Sequence, residues 1–272
     1  MRKIDKTTVS DALEKLIDRC LKNVDRCVTD ALERLEDDEL PKTAAELIAR
    51  NNRIASKENV YACQDTGQAL VFVELGDEVY CEGLHDAIET AVIKAYAQAR
   101  KSVADPITRI NTGNNAPAIV ETKIVSGDKL TISFLAKGAG SENMSRLYML
   151  VPADGADGIV NAAVDAVERG GANACPPLVI GVGVGGVTET ACSLSKKALL
   201  RPLGSSNARA DVGALEKRIL ERVNALGIGV AGFGGKTTAL AVHMEVAPTH
   251  IGMLPVAVNL QCHSLRHGTI TL

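Results

Sequence analysis

Three cysteines stand in unusual settings far apart in the chain: Ala62-Cys63-Gln64-Asp65-Thr66-Gly67, Asn173-Ala174-Cys175-Pro176-Pro177 and Leu260-Gln261-Cys262-His263. Iron–sulfur clusters with four cysteine ligands serve electron transfer. Three thiolates and no fourth would leave one iron of a [4Fe–4S] cluster open, and an open iron is a Lewis acid that activates a hydroxyl or a water. Cys63 precedes a polar turn rather than lying on an apolar stripe. Cys175 sits between a helix end and two prolines that fix the following backbone as extended. Cys262 ends a strand. Spacing this wide leaves two readings open, a shared metal site or three incidental thiols.

Other motifs carry less. Gly181, Gly183 and Gly186 fit G-x-G-x-x-G between a strand and a helix, but the acidic residue a dinucleotide site needs about 20 positions on is missing. The expected role is a tight, closely packed strand-to-helix turn. Gly232-Phe233-Gly234-Gly235-Lys236-Thr237 fails as a P-loop because Val230 occupies the position of its first glycine. A glycine-rich surface turn is expected instead. Cys262, His263 and His267 are metal-ligand types, but the chain has neither a C-x-x-C pair nor H-E-x-x-H, so a zinc site is not expected. Lys137-Gly138-Ala139-Gly140-Ser141-Glu142-Asn143 follows a strand, and its exposed N–H groups could bind a carboxylate.

The elements that must position these residues alternate irregularly. Apolar residues from Val9 to Leu35 recur at helical spacing, which predicts one long amphipathic helix with Cys20 and Cys27 as core residues. Further helices are expected at 41–56, 84–101, 157–169, 188–200 and 215–226. Gly170-Gly171 would close the 157–169 helix as a left-handed cap. Strands are expected at 69–75, 178–184 and 254–260, with 119–125 and 130–136 forming a hairpin around Ser126-Gly127-Asp128. No repeat or linker interrupts the pattern. The expectation is one mixed α/β (α+β) domain over residues 1–272, helical to about residue 58.

Composition agrees. The 272 residues carry a net charge of −3, and 46% are hydrophobic but only 3% aromatic, with no Trp. The core must therefore be aliphatic. Positive residues are dispersed, which argues against nucleic acid. No apolar run is long enough to span a membrane, and the first residues lack the apolar stretch of a signal peptide. Seven cysteines in such a chain point to reduced thiols in the cytoplasm rather than disulfides.

The wording of the motifs adds a resemblance. Ala62-Cys63-Gln64-Asp65-Thr66-Gly67, Asn111-Thr112-Gly113 with Pro117, the Gly138–Ser141 loop and Ala174-Cys175-Pro176-Pro177 occur in an order that resembles the class I (iron–sulfur) fumarate hydratases and the related tartrate dehydratases. The likeness covers nearly the whole chain and is to their α subunit or N-terminal domain. It implies an oxygen-sensitive [4Fe–4S] cluster on Cys63, Cys175 and Cys262, with Cys20, Cys27, Cys81 and Cys192 left as structural residues. It implies Asp65 and His250 as catalytic residues, and Gln64, Arg100, Gly138 and Gly140 as substrate contacts. Arg100 suits a substrate carboxylate because its planar fork binds both oxygens.

The reaction implied is reversible hydration of fumarate to malate, with dehydration of L-tartrate to oxaloacetate as the alternative. Gly140-Ser141-Glu142-Asn143-Met144 looks more like the fumarase side. The family's β-type domain, which supplies further arginine and lysine groups and a hydroxyl proposed as base, is not in this sequence. A separate β subunit is therefore the expected partner, in an α2β2 assembly or around an α–α dimer. A nucleotide-binding module or a non-catalytic subunit with buried thiols is the reading from a different class.

Overall fold

The computed structural model describes Met1–Leu272. In chain order its elements are β1 (Arg2–Lys3), α1 (Lys6–Lys22), α2 (Arg26–Glu33), α3 (Glu39–Glu58), β2 (Gln68–Gly76), β3 (Val79–Tyr80), α4 (Leu84–Ala95), β4 (Ile119–Val125), β5 (Leu130–Lys137), α5 (Ala139–Glu142), β6 (Arg146–Leu150), α6 (Gly155–Gly170), β7 (Leu178–Gly185), α7 (Thr188–Ala198), α8 (Ala210–Asn224), β8 (Ala239–Ala247), β9 (Leu254–Gln261) and β10 (His267–Thr271). This is a mixed α/β fold. Contacts divide it into two compact units, Met1–Asp25 with Asn52–Ala139 and Arg266–Leu272, and Arg26–Asn51 with Gly140–Leu265. No helix is long and apolar enough to cross a membrane.

In the first unit four strands run in the order β10-β5-β2-β4. β2 lies between an antiparallel β5 and a parallel β4, so β4 and β5 do not form the expected hairpin. The turn at Ser126–Asp128 instead passes over the end of β2. Gly127 donates to Asp77 Oδ1 (2.9 Å), and Glu78 N–H donates to the Gly127 carbonyl (3.0 Å). A Cβ on Gly76 would come within 2.2 Å of that carbonyl, so only glycine lets the turn close there.

α1 begins on Asp5, whose carboxylate accepts the Thr7 N–H (2.7 Å), an N-cap. It buries Val9, Leu13, Leu16, Ile17, Cys20 and Leu21. It stops at Asn23, which is extended and whose side chain bonds to Arg19 O and to the Ser56 hydroxyl. The predicted single helix is thus two, and Cys27, on α2, is exposed rather than a core residue. Cys20 is buried as expected, and burial pushes its thiol up to about 11.

The second unit holds four strands in the order β6-β9-β7-β8. β7 is parallel to β8 and antiparallel to β9 and is buried along its whole length. α7 lies on β7 so closely that a Cβ on Gly181 or Gly183 would approach the Ser195 or Ala191 carbonyl to 2.0 Å. These two glycines serve helix–strand packing. Gly235, at φ +115°, leaves room for Asp37, whose Oδ2 accepts the Lys236 and Thr237 N–H groups. Gly170 and Gly171 do not form a left-handed cap, since both have negative φ. They are glycines because Met144 packs on one, and Val167 with Ile228 on the other.

Candidate active site

The first unit carries Cys63, Gln64, Asp65, Arg100 and Gly138. Ala62 N–H donates to Leu21 O (3.1 Å) at the end of α1, which fixes where the Cys63 turn starts. Cys63 and Asp65 are half-buried and Gln64 is exposed. Asp65 is the centre of the turn. Its Oδ1 accepts the Gly67 N–H (2.9 Å) and its Oδ2 the Ala139 N–H (2.8 Å). A Cβ on Gly138 would stand 3.0 Å from Oδ2, so glycine at 138 is what admits the carboxylate. An ionised carboxylate has about four acceptor positions, and two backbone donors orient it while leaving room for a proton.

α4 ends at Ala95 rather than continuing to 101, so Arg100 lies on a loop. Its side chain is exposed, but its carbonyl is held by the Thr66 hydroxyl (2.9 Å) and by Asn115 Nδ2 (2.8 Å). Asn115 is fully buried and also accepts the Ser102 N–H (2.5 Å). The loop holding Arg100 is therefore tied to the same turn that holds Asp65.

The second unit carries Gly140, Cys175, His250 and Cys262. Antiparallel pairing sets Val179 opposite Gln261, and His263 N–H donates to Cys175 O (3.4 Å). Cys175 and Cys262 are thus at the same end of two neighbouring strands. Gln261, fully buried, directs Nε2 at Cys262 Sγ (3.4 Å). α5 starts the next segment, where Glu142 accepts from Lys196 and from Asn259 Nδ2 (3.0 Å), anchoring the chain next to Gly140. His250 lies in the turn between β8 and β9, exposed, with Nδ1 accepting the Gly252 N–H (3.1 Å). The full length of β9, roughly 24 Å at strand rise, separates it from Cys262. The structure joins Cys175 to Cys262 but does not bring His250 to them.

Cys175 has φ +55° and ψ +67°, the left-handed region, which costs a residue with a Cβ about 1 kcal/mol or more. Cys175→Gly should therefore leave the chain more stable to denaturant than Cys175→Ala, by about 1 kcal/mol, although glycine is ordinarily the more destabilising of the two. Urea titration of both variants checks this. The reverse order would mean that the left-handed backbone is not imposed on this position.

All seven cysteines are free thiols. Burial raises the Cys81 and Cys192 thiols above the ordinary range. Cys63, Cys175 and Cys262 are each at least partly open to solvent. Soft thiolate ligands suit iron–sulfur clusters, and an N–H donor such as Gln261 beside a ligand sulfur is a usual means of tuning them. The donor set fits such a group, while no three His, Cys, Asp or Glu side chains gather closely enough to hold a single metal ion. The sequence reading missed Gln261, Glu142 and Asn115. Glu142 and Asn115 work through partners distant in sequence, and the bond from Gln261 to its neighbour's sulfur depends on a burial that the sequence does not signal.

A family model described as fumarate hydratase (fumerase) matches residues 6–271. A Methanocaldococcus jannaschii protein named "Putative L(+)-tartrate dehydratase subunit alpha" is 38% identical over 273 residues, covering 96% of both chains. The L(+)-tartrate dehydratase subunit alpha of Escherichia coli O157:H7 is 34% identical over 255 residues, covering 89% of this chain and 84% of that protein. The counterpart in Escherichia coli strain K12 matches to the same extent. With a family match along nearly its whole length, this chain belongs to the fumarate hydratase (fumerase) family and is a hydro-lyase.

Proposed function

We propose that the chain is the α-type subunit of an iron–sulfur hydro-lyase acting on a four-carbon dicarboxylate, with Cys63, Cys175 and Cys262 as the ligands of one [4Fe–4S] cluster. The observation that carries this reading is the pair Cys175 and Cys262, held together by the His263-to-Cys175 hydrogen bond with an amide donor on the Cys262 sulfur. When bound, the cluster supplies Lewis acidity that weakens the bond to a leaving hydroxyl.

The residues of the chain do the rest. Arg100 takes a substrate carboxylate through its planar fork, and Gln64 contacts the substrate beside it. Backbone N–H groups at Gly138 and Gly140 meet the charge that develops on a carboxylate as the neighbouring carbon loses its proton. Asp65 handles that proton at a lone pair not already taken by Gly67 or Ala139. The difficulty of the step lies in the weak acidity of the carbon, so fixed donors and a fixed acceptor matter more than flexible ones.

The proposed substrate pair is fumarate and malate, from the Gly140–Met144 wording and the fumarate hydratase description of the family match. L-tartrate is the second reading, favoured by the names of the similar proteins. Steady-state kinetics on malate, fumarate and L-tartrate separate them. A site built to bond the second hydroxyl of tartrate rejects malate strongly, by on the order of 10⁴, because its polar groups are then left unpaired. A malate site that merely meets an extra hydroxyl discriminates far less, by about 10². A kcat/KM favouring malate supports the fumarase reading, and a large preference for tartrate replaces it.

A further inference from the structure

Arg266 is the largest fully buried side chain of the protein, 1% exposed, between the Cys262 turn and β10. Its carbonyl accepts the Ala136 N–H (3.0 Å) at the end of β5. Its Nη2 donates to the backbone carbonyl of Asp65 (2.8 Å), while Nε and Nη1 have no hydrogen-bond partner. Cys20 and Tyr96 lie within its field. Tyr96, also fully buried, donates its hydroxyl to the next carbonyl, Thr66 O (3.4 Å).

Packing does not explain an arginine here. Burying a guanidinium with one hydrogen bond is costly, and an apolar side chain of similar volume is often equal or better for stability. Cys20, Tyr96 and Ala136, which lie near it, belong to a buried apolar core. What the arginine does achieve is to fix the peptide that carries Asp65. Through Asp65 the same grip reaches Gly67 and Ala139, and through the Thr66 hydroxyl it reaches the carbonyl of Arg100.

We propose that Arg266 is a positioning residue for the hydro-lyase site: it locks the Asp65 carbonyl so that the Asp65 carboxylate and Arg100 are presented in one geometry. This rests on the functional reading above, but its first test does not. In the isolated chain, hydrogen exchange of the Gly67 and Ala139 amides reports the Asp65 clamp directly. Arg266→Met should speed exchange at both by about tenfold or more while the β2 core amides at Ala69–Val73 stay protected. Melting should not fall, since a buried charge has been exchanged for an apolar side chain of similar reach. Arg266→Lys retains a cation that can reach one carbonyl and should restore part of the protection; it also carries the measurement should the Met variant not fold.

In the assembled enzyme, Arg266→Met should lower kcat by about tenfold or more with KM changed by less than about threefold, and Lys should recover part of it. Unchanged exchange at both amides overturns the proposal. So does a parallel loss of protection across the β2 core, which would make Arg266 a packing residue. A wild-type complex without turnover would defeat the functional reading alone, because the exchange result needs neither cluster nor substrate.

Discussion

Cys63→Ser, Cys175→Ser and Cys262→Ser should each lose the iron that the wild-type chain takes up on anaerobic reconstitution. The wild type is expected to hold about four iron and four sulfide per polypeptide, with absorbance near ~400 nm, as for a [4Fe–4S] cluster. The expected effect is large because, in the proposed site, three thiolates are the whole protein ligand set. Removing one leaves two ligands and a second open iron, and serine is a harder, far more weakly ionised donor that soft metal centres do not favour. The four remaining cysteines provide the contrast. Cys27→Ser changes an exposed residue and should be silent. Cys20→Ser puts a hydroxyl where burial already disfavours polarity, so it should cost about 1–2 kcal/mol of stability while leaving the iron count unchanged. Iron that survives in all three ligand variants, or falls equally in the Cys20 and Cys27 variants, would remove the cluster reading.

The segments legible in the sequence were those whose pattern is local. β7 is an unbroken apolar run and β9 a largely apolar one, and both lie where their composition placed them, at Leu178–Gly185 and Leu254–Gln261. The glycines of β7 were recognised as close-packing positions, because a missing acidic residue left no nucleotide site for them to build. What failed depended on partners far away. β4 and β5 are joined by a short polar turn, the usual mark of a hairpin, yet β2 comes between them, and only the closeness of Gly76 to Gly127 betrays it. The apolar spacing from Val9 to Leu35 persists through Asn23, so periodicity gives no sign that the chain turns extended there, where the Asn23 side chain accepts from the Ser56 hydroxyl. β8 and β10 were missed, the latter a five-residue edge strand paired with β5 alone. In the proposed site, the cysteines could be singled out because their neighbours are unusual. Arg266 could not, since one arginine among 30 basic residues carries no sign that it will be buried.

Turnover should require a second polypeptide. The isolated, cluster-loaded chain is expected to show less than about 10⁻³ of the hydro-lyase rate of its complex with a β subunit. The similar proteins are named as α subunits, and the chemistry gives the reason such a division would be strict. A four-carbon dicarboxylate presents two carboxylates and must be held at both ends for the carbon proton to face its acceptor, since a misplacement of about 1 Å can cost 10²-fold. The proposed site in this chain has one exposed cation for that purpose, Arg100; the Asp65 carboxylate, oriented by two backbone donors, is negatively charged and serves the proton, so it cannot hold a substrate carboxylate. The resemblance assigns the further arginine and lysine groups, and a hydroxyl, to the β-type partner. Uniform loss of binding would raise KM alone, whereas groups acting together on one transition state fail together, so kcat should rise from near zero on mixing. The experiment is anaerobic titration of the loaded chain with purified β subunit, following fumarate absorbance and complex formation by light scattering in parallel. Activity that saturates with complex formation supports the division of the site. Full turnover by the α chain alone would place the whole substrate grip here and require a second cation beside Arg100. A stoichiometric complex that stays inactive on malate, fumarate and L-tartrate would overturn the assignment of this chain to that reaction.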